Sequence, residues 1–144
     1  MDPISLISLI EGSISLALQC ESVAKNLDSL AGQYKYAKLT ILSTLQNLDT
    51  MQLAWKRIGQ WSRNLSPDED PESQDFIERL ARCLETGRLV MDALEEELQV
   101  YDSEQLSFAQ RSKLVWNEGI FLAHQTRVRD QASSMTMLLH AIQL

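Results

Sequence analysis

Residues 4–20 carry one charge, Glu11, and apart from Gln19 the rest are apolar, serine or glycine, so a helix built from them is apolar or small on nearly every face. An ordinary surface helix hides one stripe and charges the remainder. The chain must therefore either surround this helix with others, or keep it ready to leave a bundle and meet lipid or further copies of itself. A secretory leader is a third reading, and the sequence argues against it: Asp2, and no Lys or Arg, precedes the run, and no A-x-A cleavage pattern follows. As a membrane span the run is short, because seventeen positions make roughly 25 Å of helix against a hydrocarbon core of about 30 Å. Glu11 in its middle would cost several kcal/mol in lipid unless it faced water or a partner. A permanent single-pass anchor is thus disfavoured, while conditional insertion as an oligomer stays open.

The remainder of the 144 residues reads as helix. Three prolines and five scattered glycines interrupt long stretches of helical spacing, and no stretch alternates with the two-residue period of strands. The expected fold is a single all-α domain over 1–144, a four-helix bundle with room for an extra short helix, its helices near 4–31, 33–63, 74–101 and 107–142. Asp2 and Pro3 cap and open the first helix. Its expected core stripe is Leu6, Ile10, Ser13, Ala17, Cys20, Ala24 and Leu27, with Ile7, Leu9, Ile14 and Leu18 on the other faces. The second helix presents Tyr34, Ala37, Ile41, Leu45, Leu48, Met51, Trp55 and Ile58. The third has the cleanest repeat, Ile77, Leu80, Leu84, Gly87, Met91, Leu94, Leu98 and Tyr101, in steps of three and four. The fourth repeats Leu114, Glu118, Phe121, Gln125, Val128, Ala132, Met135, Leu139 and Ile142, which would bury Glu118 and Gln125. A buried carboxylate needs a partner, and a register-setting role is the expectation for both polar positions.

Charge is unevenly placed. Residues 68–104 hold thirteen of the twenty acids and only three of the thirteen Lys and Arg. Nucleic-acid binding is excluded on this basis, since phosphate neutralisation needs a clustered basic face. The acid-rich stretch 66–73 reads as a solvated loop. It does not fit a calcium loop, because counting from Asp68 the glycine position holds Ser73 and the closing glutamate position holds Arg79. Lys56, Arg57 and Arg63 beside Trp55 and Trp61 suggest helix capping first and an anionic-lipid patch second. Cys20 and Cys83 occupy apolar helical positions without a CxxC, as free thiols in a reducing compartment do.

No catalytic motif is present: there is no phosphate loop, HExxH, CxxC or GxSxG. His124 and His140 lie sixteen residues apart on one helix, roughly 24 Å at helical rise, too far to share a metal. The chain is read as a non-enzyme with no cofactor.

The opening Met1-Asp2-Pro3-Ile4-Ser5-Leu6 with its Ser/Leu/Ile helix, the segment 34–42 leading to Leu53-Ala54-Trp55, and the closing Val115-Trp116-Asn117-Glu118 with Gln131 and Leu138-Leu139 resemble the N-terminal domain of fungal STAND (NOD-like receptor) proteins, the HeLo-like group. The resemblance covers the whole chain and rests on helix composition. It implies a cytoplasmic helical effector placed before a nucleotide-binding switch, ankyrin repeats or a prion-forming tail in cis, none of which is written in these 144 residues. It implies that clustering releases the first helix into the plasma membrane and triggers regulated cell death. On that reading Ile4, Leu6, Ile7, Leu9, Ile10, Ile14, Leu16 and Leu18 contact lipid or neighbouring helices, Glu11 faces a lumen, and Ser8 with Gly12 lets helices approach closely. The partners are further copies of the chain and, conditionally, lipid. The alternative is a non-lytic interaction or oligomerisation module of a larger receptor.

Overall fold

The all-α expectation holds. The computed structural model describes residues 3–31, 38–65, 71–101 and 118–141, and these form four helices with no strand among them. They are α1 (Pro3–Ala31), α2 (Lys38–Arg63), α3 (Pro71–Tyr101) and α4 (Glu118–Ala141). Pro3 and Pro71 each open a helix, where proline's fixed φ fits and its missing donor is not needed. α3 accordingly starts at Pro71, three residues before the expected 74, and takes Glu72 and Ser73 out of the acidic connection. Residues 33–37 and 107–117, expected to be helical, lie outside the described residues, as do Tyr34, Ala37, Leu114 and Ile142 of the expected stripes.

Side-chain contacts fix the directions. Gly59 of α2 lies against Ser13 and Ile14 of α1, each about twenty residues from the 32–37 connection, so α1 and α2 form an antiparallel hairpin. Gly12 of α1 meets Leu84 and Arg88 of α3, and Gln19 one turn and more further on meets Asp92 and Glu95, so α1 and α3 run parallel. Gln131 of α4 donates to the Cys83 carbonyl while His124 senses Glu97, so α3 and α4 are antiparallel. The helices pack as a ring in the order α1, α2, α4, α3. α2 and α3 are therefore diagonal although consecutive in the chain. Where α2 ends and α3 begins, Trp61 meets Phe76 edge-on, with ring centroids 5.8 Å apart at 84°.

One core runs down the ring's axis, through Leu9, Leu16, Cys20, Val23 and Leu27 of α1, Ile41, Leu48, Met51, Trp55 and Ile58 of α2, Ile77, Leu80, Met91 and Leu94 of α3, and Val128 and Met135 of α4. Each fully buried aliphatic side chain contributes about 1.5–3 kcal/mol of transfer free energy. α1 is thus one of four peers in the ring, flanked by α2 and α3. It is not the central helix surrounded by the other three.

Candidate functional site

α1 continues past the apolar run. The stretch Leu6–Ser29 is 24 residues long, and by length and composition it could cross a bilayer, with 44% of its most apolar window buried in the bundle. The shortness that counts against a span thus applies to residues 4–20 and not to the helix they open. A soluble core helix passes the same test, so the distribution of its side chains matters more than its length.

That distribution is one-sided. Leu6, Leu9, Gly12, Ser13, Leu16, Ala17 and Cys20 face the core. Leu9, expected on a face away from the core stripe, and Leu16, which the expected stripe did not include, are each only 1% exposed. Ile10 and Ile14 are half-buried on the α2 side. Ile7 at 54% and Leu18 at 60% face outward with Glu11, Ser8 and Ser15. The side chain of Ile4 lies outside the described residues. Of the eleven positions singled out on α1, the outward ones are therefore Ile7, Ser8, Glu11 and Leu18, and the rest whose side chains are described serve the core wholly or in part.

Close packing fixes the inner face. Ser13 Oγ donates to the Leu9 carbonyl at 2.6 Å, which satisfies a hydroxyl that would otherwise be orphaned in the core. Its small side chain lets Gly59 approach: a Cβ added there would stand 3.4 Å from Ile14 Cγ1 and 3.6 Å from Ser13 Cβ. Toward α3 two glycines act reciprocally. Gly12 of α1 accepts Leu84 and Arg88, and Gly87 of α3 accepts Leu16 and Gln131. The small pair Ser8 and Gly12 is thus divided in the bundle, Gly12 seated under α3 and Ser8 exposed.

Beside this contact the α1–α3 seam opens into a groove of about 620 Å³, lined by Ser8, Glu11, Gly12 and Ser15 from α1 and by Ala81, Leu84, Glu85 and Arg88 from α3. At its far end Gln19 Nε2 donates to both Asp92 Oδ1 at 2.7 Å and Glu95 Oε2 at 3.0 Å. Sequence reasoning missed Gln19 and Arg88. The signal for Gln19 was available, because it is the one amide in the otherwise uncharged run. Arg88 sits among the charges of α3 and carries no such mark.

The buried polar positions of α4 differ from those expected. Gln125 is half-buried and the Glu118 side chain lies outside the described residues, whereas Gln131 and His124 are buried. Gln131 Nε2 reaches the Cys83 carbonyl at 3.2 Å. His124 Nδ1 and Trp55 Nε1 are buried without a hydrogen-bond partner. Burial holds the His124 imidazole below its ordinary value, opposed by the Glu97 carboxylate and aided by Arg127. Burial likewise raises the Cys83 thiol. Cys20 and Cys83 are free. Lys56, Arg57 and Arg63 are exposed, but Trp55 is wholly buried and Trp61 packs on Phe76, so the tryptophans do not join those cations in an interfacial patch. Among the described residues no three His, Cys, Asp or Glu side chains cluster as a metal site would require. Comparison with family models, with curated proteins and with solved structures finds no match for the chain.

Proposed function

We propose that this chain is a cytoplasmic helical effector domain of the fungal NOD-like (STAND) type, which induces regulated cell death by oligomerising and inserting α1 into the plasma membrane. The observation that carries the reading is the outward face of α1. Between Ile7 and Leu18 that face has one charge, Glu11, and two large side chains more than half exposed, on a helix long enough to span. Core packing does not require this composition, since the inner stripe alone closes the bundle. No cofactor, metal or enzymatic step belongs to the proposal.

In the inserted state Ile7 and Leu18 meet lipid, and the neighbouring copy packs on the small residues Ser8, Gly12 and Ser15. Glu11 then faces a water-filled lumen, the placement in which an intramembrane carboxylate is tolerated. Release must also uncover Leu9 and Leu16, so insertion exchanges core contacts for lipid ones.

One observation favours a second reading. α1 supplies a full share of the core, which is what a permanent bundle member does, and this fits a non-lytic oligomerisation module of a larger receptor. The test is dye release from anionic liposomes by the intact chain and by Ile7→Glu and Leu18→Glu. Both positions are exposed, so both variants should stay folded by circular dichroism, which Leu9→Glu would not. The proposal expects leakage from the wild type and at least about a tenfold loss in either variant, the cost of one charge at the bilayer centre. Leakage unaffected by both substitutions, or none when the chain is clustered on the vesicles, would favour the second reading.

A further inference from the structure

The groove between α1 and α3 holds a charge arrangement that the fold does not use. Arg88 lies over Gly12, close enough that a Cβ there would meet its Nη2 at 2.6 Å. Glu11 and Glu85 line the same groove. Arg88 nevertheless makes no ion pair among the described residues, whose pairs join Lys25 to Glu21, Arg79 to Asp75 and Arg129 to Asp130. One cation and two carboxylates therefore share about 620 Å³ without closing on one another. The floor is mostly small, with Ser8, Gly12, Ser15 and Ala81 beside the buried Leu9 and Leu84, and outside the groove on the same two helices stand the exposed Ile7 and Leu18 of α1 and Leu89 of α3, the last 65% exposed.

We infer that this groove and the outward face of α1 form a self-docking surface, on which a second copy of the resting chain seats about a twofold axis with Arg88 of each copy against the partner's Glu11. A twofold interface uses the same patch on both sides, so the patch must be complementary to itself. This one is: it carries both signs within one groove, and its own geometry leaves them unpaired. The remainder of the outer face of α3, with Glu78, Asp92 and Glu96, would repel a second copy. Of the exposed cations on α3, Arg79 is held by Asp75 and Arg82 lies outside the groove, so the register that answers the partner's Glu11 from within the groove is the one that uses Arg88. The small floor admits the ridge that Ile7 and Leu18 form on the incoming helix. Seated in this way, each copy covers the apolar face of the other's α1.

The self-docking surface stands apart from the membrane reading. The further consequence, that the resting pair keeps α1 from lipid, rests on it. A groove of this size is also within the range of small-ligand clefts, about 300–1,000 Å³, and a zwitterionic headgroup would answer to the same mixed charges.

The experiment is sedimentation equilibrium of the intact chain, from micromolar to submillimolar concentration, with Arg88→Glu, Glu11→Arg and the double variant. The expected result is a reversible dimer, weakened at least about tenfold in each single variant, a difference of about 1.4 kcal/mol. The charge-swapped double variant should recover to near the wild-type constant. Leu18→Ser, which removes no charge, should weaken the dimer as well. A wild type that stays monomeric throughout, or single variants that dimerise as tightly as the wild type, would overturn the inference. So would a monomer whose binding to phosphatidylethanolamine vesicles falls on Arg88→Glu, which would give the groove to a headgroup. Dye release on the same samples separates the two proposals, since a dimer without leakage removes the lytic function alone, and leakage without a dimer removes the docking surface alone.

Discussion

α1 and α3 are parallel neighbours of almost equal length, 29 and 31 residues, and each gives one stripe to the same core. They differ on the side turned to water. α3 carries Asp75, Glu78, Arg79, Arg82, Glu85, Asp92 and Glu96 there, with Leu89 the exposed large apolar residue. The first five turns of α1 carry Ile7, Leu18, serines and Glu11. Packing explains both inner stripes equally well and therefore explains neither outer face. The charged face of α3 is the usual solvated surface. The nearly uncharged face of α1 is a departure that the core did not impose, and for that reason it carries the functional argument.

The comparison breaks most directly at two leucines on α1 itself. Leu16 is 1% exposed and lies against Gly87 of α3, while Leu18 is 60% exposed. Leu16→Ala should cost about 2–5 kcal/mol, the range for a buried leucine that leaves a cavity. Leu18→Ala should change stability by no more than about 0.5 kcal/mol. Urea unfolding of both reads the difference. A Leu18→Ala cost approaching that of Leu16→Ala would mean that the outer face is packed and would remove the basis for assigning it a contact role.

The glycines sharpen the same contrast. Both are closely approached, but by different kinds of neighbour. A Cβ on Gly87 would stand 2.8 Å from Leu16 Cδ2, which is buried, and 3.1 Å from Gln131 Nε2, which is held by the Cys83 carbonyl. Neither can move freely, so overpacking of about 1–3 kcal/mol outweighs the gain of about 1 kcal/mol in helix propensity. Gly87→Ala should lose about 1 kcal/mol. At Gly12 the obstacles are the end of Arg88, which is exposed, and Leu84 Cδ2, which is largely buried but borders the open groove, so that both ends have space on that side into which to shift. Gly12→Ala should therefore stay within about 0.5 kcal/mol of the wild type. Thermal unfolding of the pair checks the order, and a larger loss at Gly12 would show that the groove offers less room than its volume suggests.

The same difference decided what the sequence could reveal. On α3 the expected stripe from Ile77 to Leu98 is buried at every position, because charges flank it and mark its edges. On α1 the expected stripe captured Leu6, Ser13, Ala17, Cys20 and Leu27 but left out Leu9 and Leu16. With apolar residues on every side the periodicity has no contrast, and the stripe's width is decided by neighbours that the local sequence does not name. α4 failed differently. His124 and Gln131 are buried polar residues adjacent to or one turn from Gln125 and Val128, and a hydropathy pattern scores them as surface. Gln131 is held inward by the Cys83 carbonyl, and His124 is buried near Glu97, both on another helix. The groove was illegible for the same reason, since half its lining comes from residues some seventy positions away.

The smallest expected effect concerns acidification, which should act on the α3 side of the ring and leave the α1–α2 hairpin alone. His124 is 7% exposed, its Nδ1 has no hydrogen-bond partner, and burial holds its protonation below the ordinary value of 6.5. The folded chain therefore prefers the neutral ring and binds fewer protons there than the unfolded chain does. This preference is fully present above about pH 6.5 and is lost as pH falls through the lowered folded value. Glu97 of α3 softens the loss and Arg127 on His124's own helix deepens it. Urea midpoints at neutral pH and at about pH 5 should fall for the wild type and fall less for His124→Leu. Hydrogen exchange should report the loss first in α4 amides near His124 and in α3 near Glu97. An equal fall in wild type and variant would assign the acid response elsewhere. Early exchange in α1 would mean that the seam carrying Gln19, Asp92 and Glu95 yields before the one His124 faces, and that the two long helices differ in how firmly they are held as well as in what they show to water.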